Sequence, residues 1–201
     1  MRFIGITGGV GAGKSQILSY LAQKPGVRVM LADEIAHEQM EPHTACYDKI
    51  KEHFGKLDIF REDGSFDRRK LADVIFSDDA RRREMNRIVH PAVREYVCAQ
   101  LEKERKEGRL SLLVLEAALL IEEHYDEICD ELWYIYTRED VRRERLKASR
   151  GYSDEKVDAI FASQLKEEIY RAHCSEVIDN NGALEETLAQ IDDILRRKAN
   201  G

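Results

Sequence analysis

The 201-residue sequence is short of most features that mark specialised classes of protein. No apolar run approaches the roughly 18 residues that a bilayer-spanning helix requires, which excludes that class of membrane protein. There are four cysteines, Cys46, Cys98, Cys129 and Cys174, with no CxxC pair and no Cys/His cluster at zinc-ligand spacing. A disulfide scaffold and a zinc module are therefore excluded, and each cysteine is expected to be a small buried hydrophobe. Three prolines and 12 glycines exclude collagen-like and low-complexity chains. A basic excess is lacking too: 32 Lys and Arg against 39 Asp and Glu give a net charge of −7. That balance argues against nucleic acid or anionic lipid as a partner. The opening MRFIGITGG enters a strand pattern at once, without signal-peptide layout, so a reducing cytoplasm is the expected setting.

Charge itself is plentiful. Charged residues make up 35% of the chain, against about 25% in an average domain, which suits long amphipathic helices. Twenty of the 32 basic residues are arginine, whose planar fork matches phosphate and carboxylate. Solvated helix faces account for many of them; the rest leave room for a local phosphate-handling pocket.

Apolar periodicity switches between continuous runs and helical stripes. Buried-strand runs fall at 3–7, 27–31, 110–115, 132–136 and 177–179, separated by helical patterns. Strands apolar on both faces with helices between them predict a parallel sheet covered on each side, an α/β fold. About 78 residues separate the second and third runs, with helical patterns at 46–54, 69–76 and 80–106 and a turn at Glu62-Asp63-Gly64-Ser65. A second helical stretch, 139–173, is rich in arginine, and a last amphipathic helix runs to Lys198.

The strongest chemical signal is Gly8-Gly9-Val10-Gly11-Ala12-Gly13-Lys14-Ser15, a GxxxxGK[ST] phosphate loop directly after the first strand. The glycines let several backbone N–H groups turn inward as a nest for phosphate, at the positive end of the following helix. Lys14 is expected on the β- and γ-phosphates, and the Ser15 hydroxyl on Mg²⁺. The sequence has no Asn-Lys-x-Asp guanine reader and no LSGGQ signature. Two helical insertions in about 200 residues instead give the layout of a small kinase with a substrate cap and a lid. Asp33, just past the second strand, is then either the acid that serves an acceptor hydroxyl or a helix N-cap. Glu116, ending the third strand, is a candidate for the Mg²⁺ environment. His90, before Pro91 inside a helical pattern, is either a packed histidine at a kink or a substrate contact.

The ordered set of motifs resembles the dephospho-coenzyme A kinase family. It comprises the loop from Ile6 to Ser15, then Ala32-Asp33-Glu34-Ile35-Ala36 and Asp63-Gly64-Ser65-Phe66-Asp67-Arg68-Arg69-Lys70-Leu71. It continues through Val89-His90-Pro91, Leu119-Leu120-Ile121-Glu122, Arg145-Leu146, Gln164 and Val177-Ile178-Asp179-Asn180-Asn181-Gly182. The resemblance implies a P-loop NTPase, three-layer α/β/α fold with a five-stranded parallel sheet. It further implies one kinase domain over 1–201, with a helical substrate-binding insertion at about 34–107 and a lid at about 138–175. The implied reaction moves the ATP γ-phosphoryl group to the ribose 3′-hydroxyl of dephospho-CoA with Mg²⁺. A monomer or weak homo-oligomer is the expected state. Gly8, Gly9 and Gly11 to Gln16 would hold ATP, with Asn181 and Gly182 bordering its adenine. Asp33 would act on the 3′-hydroxyl, Arg68 and His90 would face dephospho-CoA, and Arg138, Arg142 and Arg145 would neutralise the transferring charge. Leu31 stands where the family often carries the first aspartate of Asp-Ala-Asp. A kinase for another nucleotide or small alcohol, and a non-catalytic nucleotide-binding regulator, are the other readings open at this level.

Overall fold

The computed structural model describes residues 1–199. The chain divides into two compact units, one formed by Met1–Met30 with the segment from Gly108 onward, the other by Leu31–Glu107.

The first unit is built on a five-stranded parallel sheet. Its strands are β1 (Arg2–Thr7), β2 (Val27–Leu31), β3 (Leu112–Glu116), β4 (Glu131–Tyr136) and β5 (Glu176–Asp179), in the order β2-β3-β1-β4-β5. The central strand reads Phe-Ile-Gly-Ile-Thr, and every one of those residues is buried, as expected where both faces of a parallel strand are covered. Leu113, Val114 and Leu115 on β3, with Trp133 and Ile135 on β4, complete a core without solvent exposure. The flanking helices are α1 (Lys14–Ala22) after β1, then, after the second unit's four helices, α6 (Glu139–Arg150), α7 (Asp154–Ala162), α8 (Glu167–His173) and α9 (Leu184–Ala199).

The register of the ladders decides where loops emerge. Ile6 pairs with Glu116, Thr7 with Tyr134, and Tyr136 with Asp179. Because all strands run one way, the residues that follow them, Gly8, Ala117, Thr137 and Asn180, leave from the same edge of the sheet.

The sequence places the third strand two residues early. Ser111 precedes the β3 strand: its N–H donates to the Gly26 carbonyl (2.8 Å), and its carbonyl accepts from Arg2 N (3.0 Å), the bond from which the Arg2–Leu112 register starts. The stretch expected as helical over 139–173 is cut into three. Gly151, at φ +62°, ends α6 in the left-handed conformation, and the Ser153 hydroxyl then accepts from Lys156 N to cap α7.

The second unit contains α2 (Ala32–Gln39), α3 (Ala45–Phe54), α4 (Arg68–Phe76) and the 29-residue α5 (Asp79–Glu107). Between α3 and α4, Phe60 and Phe66 form an antiparallel bridge. Phe66 sits 5.0 Å from Phe60 and 5.4 Å from Tyr47, ring to ring, and the Tyr47 hydroxyl donates to Gly64 O at 2.6 Å. Asp63 accepts from the Ser65 N–H and hydroxyl, and Asp67 accepts from Arg69 N and Lys70 N at the start of α4. These bonds hold both carboxyls below the usual range, Ser65 acting on the first and the Lys70 N–H chiefly on the second. Most of Asp63 to Asp67 is thus the scaffold of a turn, and it delivers Arg68 to the surface. Pro91 lies inside α5, which continues through it although the ring removes one backbone donor.

All four cysteines are free thiols; Cys46, Cys129 and Cys174 are buried and Cys98 is half-buried. Burial pushes the Cys174 thiol up to about 12, so it stays a neutral apolar group. Among the described residues, no helix is long and apolar enough to cross a membrane.

Candidate active site

The site in the first unit begins with a helix that lacks a protein cap. The N-cap of α1 is Gly13, which has no side chain to accept from the first N–H groups, and the first turn holds no acidic residue. By contrast α3, α4 and α7 are capped by Thr44, Asp67 and Ser153, and α2, α6 and α8, which also lack a side-chain cap, carry acidic residues in their first turns. The opening N–H groups of α1 are therefore left for an anion supplied from outside, reinforced by the partial positive charge of the helix end. Gly13 needs the freedom of glycine: its φ is +85°, and a Cβ there would stand 2.5 Å from Asn180 Nδ2.

Lys14 turns back over this loop. Its Nζ donates to Gly8 O at 2.8 Å and lies 3.4 Å from Glu116 Oε1, and both side chains are largely shielded from solvent. The sheet register explains the pairing, since Glu116 ends β3 beside Ile6. Ser15 occupies the next position of α1.

The three arginines expected in charge neutralisation occupy different settings. Arg142 is only 8% exposed. Its Nε donates to the Val10 carbonyl at 2.9 Å, its Nη2 donates to Gln164 Oε1, and its guanidinium lies 4.3 Å over the Phe161 ring. A Cβ on Gly9 would collide with that guanidinium, so Gly9 makes the space Arg142 fills. Arg145 donates through Nη2 to Asn180 O at 2.9 Å, while its Nη1 is buried without a hydrogen-bond partner. Arg138 is exposed: its side chain pairs with Asp140 at 3.2 Å, and its backbone N–H donates to Asn181 Oδ1 at 2.8 Å. Arg142 and Arg145 converge on the phosphate loop, and Arg138 is tied outside it.

A family model for dephospho-CoA kinase matches residues 2–186. The chain belongs to the dephospho-CoA kinase family. A family member from Symbiobacterium thermophilum named dephospho-CoA kinase is 37% identical over 201 residues, covering 100% of this chain and 83% of the relative. One of the same name from Bacillus cereus is 38% identical over 195 residues, covering 96% and 95%. A crystal structure from Thermus thermophilus superposes with a TM-score of 0.76 at 30% identity, covering 98% of this chain and 97% of the other. Membership of this family makes the chain a P-loop kinase, a fold that implies ATP as the phosphoryl donor.

Of the family's C-terminal motif, Asn180 is the residue that touches the loop. Its Nδ2 donates to the Ala12 carbonyl at 2.7 Å, and its Oδ1 accepts from the Thr187 hydroxyl at 2.9 Å. Thr137 Oγ1, buried after β4, lies 3.2 Å from the same Ala12 carbonyl. Asn181 is held by Asp179 and Arg138, and Gly182 is exposed beside it. Sequence reasoning named Asn181 and Gly182 but passed over Asn180, Thr137, Gln164 and Phe161 as site residues. The available signal was the position of Thr137 and Asn180 immediately after strands of one parallel sheet.

The remaining candidates belong to the second unit. Asp33 is exposed in the first turn of α2, whose N-cap is Leu31 with no side-chain bond. The helix begins at Ala32, one residue before Asp33, so the alternative of Asp33 as the N-cap is not realised. Arg68 opens α4, mostly exposed, with Nη2 3.9 Å from Glu41 Oε1. It lines a cavity of about 760 Å³ together with His37, Arg61, Leu71, Ile75 and Phe76. His90 is half-buried on α5 and is not among that cavity's lining residues.

Proposed function

We propose that this chain transfers the γ-phosphoryl group of ATP to the ribose 3′-hydroxyl of dephospho-CoA, giving CoA and ADP. The observation that carries the reading is the uncapped α1 beneath a GK[ST] loop, with Lys14, Arg142 and Arg145 around it, in a chain of the dephospho-CoA kinase family. Phosphoryl transfer asks the protein mainly for positioning and for charge aimed at the moving group. The α1 N–H groups and Lys14 hold the β- and γ-phosphates. Arg142 and the unpartnered Arg145 Nη1 offer further donors to the nucleotide.

Mg²⁺ fits the donors present. Among the described residues no cluster of three or more His, Cys, Asp or Glu forms a protein cage, and the magnesium of phosphoryl-transfer sites is held largely by phosphates and water. Ser15 Oγ and the Glu116 carboxylate would supply the protein's hard oxygen donors, Glu116 acting through water. When bound, the ion offsets charge on the β- and γ-phosphate oxygens.

The cavity around Arg68 suits the acceptor. Arg61, Arg68 and His37 offer charge and hydrogen bonds to its diphosphate, while Leu71, Ile75 and Phe76 offer an apolar wall to its pantetheine arm. Asp33 accepts the 3′-hydroxyl proton or orients that hydroxyl. His90 is assigned to acceptor binding, and Asn181 with Gly182 to the border of the adenine. The helices of 34–107 act as the acceptor-binding insertion and those of 138–175 as a lid. The expected setting is cytoplasmic.

The test is ADP release with ATP, Mg²⁺ and dephospho-CoA, beside reactions holding AMP, adenosine or no acceptor. Release with dephospho-CoA alone, with CoA confirmed by mass, is the expected result. Release with AMP instead would overturn the acceptor.

A further inference from the structure

Arg142 is held differently from its neighbours on α6. Arg143 is clamped by the carboxylates of Asp154 (3.2 Å) and Asp158 (2.5 Å), and Arg138 by Asp140. Arg142 is more deeply buried than either, yet among the described residues it forms no ion pair. Its three anchors are all uncharged: the Val10 carbonyl, the Gln164 amide oxygen and the Phe161 ring. The other groups whose charge bears on it are Tyr134, Tyr170 and Glu139. Tyr134 stays protonated, since burial pushes its hydroxyl up to about 12. Tyr170, stacked on Tyr134 with ring centres 4.7 Å apart, is pushed up by burial as well. Glu139 acts without direct contact.

A buried guanidinium with no carboxylate is costly unless something anionic completes it. The loop it rests on is the ATP phosphate site. Gln164 sits in the turn between α7 and α8, outside both helices, and Phe161 lies in the last turn of α7. A carboxylate at 164 would make the same hydrogen bond and also cancel the charge. The amide makes the bond and leaves the charge for the ligand. We infer that Gln164 and Phe161 are positioning residues that hold the Arg142 charge against the phosphate loop without neutralising it. The inference rests on the nucleotide half of the proposed function and is independent of the acceptor.

The experiment measures ATP and ADP affinity by calorimetry, with melting temperature alongside, on the full chain. The variants are Gln164→Met, Gln164→Glu and Phe161→Leu, each also in an Arg142→Met background. Gln164→Glu is expected to keep the melting temperature, because packing and hydrogen bond are retained, while ATP affinity falls roughly tenfold. Gln164→Met and Phe161→Leu should weaken ATP in the parent and change little once Arg142 is gone, since a positioning residue has nothing left to position. Should Gln164→Met melt early, Gln164→Glu still carries the test. Unchanged ATP affinity in Gln164→Glu would overturn the inference. So would a Gln164→Met loss that is equal with and without Arg142, the mark of a merely structural residue. Because ATP binding is the readout, absence of CoA formation would sink the acceptor assignment and leave this result standing.

Discussion

Lys14 already has two partners, the Gly8 carbonyl and the Glu116 carboxylate, so its charge is poised over the loop rather than free in solvent. Lys14→Ala removes the charge that the proposed function assigns to phosphate, and takes from the Glu116 carboxylate the cation 3.4 Å away. ATP affinity and kcat should fall together, each by at least about tenfold, measured by calorimetry and steady-state kinetics. Asp33 is expected to separate the two quantities. Asp33→Asn should bind ATP as the parent does and lose about a hundredfold or more in kcat if the carboxylate removes a proton. A loss of only a few fold would assign it to orienting the hydroxyl, and full turnover would take it out of the chemistry. The identities of Gly8 to Ser15 were legible in the sequence because a phosphate loop is local: eight consecutive residues carry its whole logic. The partners of Asn180 and Arg142 were not. Asn180 meets Ala12 across 168 positions and Arg142 meets Val10 across 132, and no periodicity encodes such pairs.

Elements were read well wherever one force set their ends. The run at 27–31 is that of β2, which begins after the turn at Pro25-Gly26, where φ is +71° at the glycine. The ends that moved are those fixed by contacts from elsewhere, as at Ser111, or by a left-handed residue inside an apparently continuous helix, as at Gly151. In α4, Asp67 caps the helix and Leu71 is buried at the cavity wall, whereas Phe76 at its end lines the same cavity and is 78% exposed. Phe76→Ser should therefore leave melting temperature and ATP affinity unchanged while raising the KM for dephospho-CoA several-fold. An unchanged KM would show that the apolar wall does not meet the pantetheine arm.

At the scale of the whole molecule, a chain of net charge −7 gathers Lys14, Arg142 and Arg145 around the loop at one edge of one sheet. The parallel topology makes this possible without a basic surface, because every strand delivers its successor loop to that edge. The α/β class and the strand count followed from apolar runs alone. Residues 31–107 form a compact unit of their own, in the oversized gap between two strands where the sequence shows helical patterns at 46–54, 69–76 and 80–106. The single tryptophan makes nucleotide binding readable at this scale. Trp133 is fully buried on β4, inside the sheet that carries the phosphate loop, so its fluorescence reports unfolding of that unit. A non-hydrolysable ATP analogue at about a hundred times its Kd contributes about 2.7 kcal/mol to the folded state. For a chain of this length that is a rise of about 5–10 °C in the Trp133 transition. In Lys14→Ala the same analogue concentration lies closer to Kd, and the rise should shrink accordingly. A parent transition that nucleotide leaves in place would mean that ATP is not held at the sheet edge that α1, β3 and β4 define.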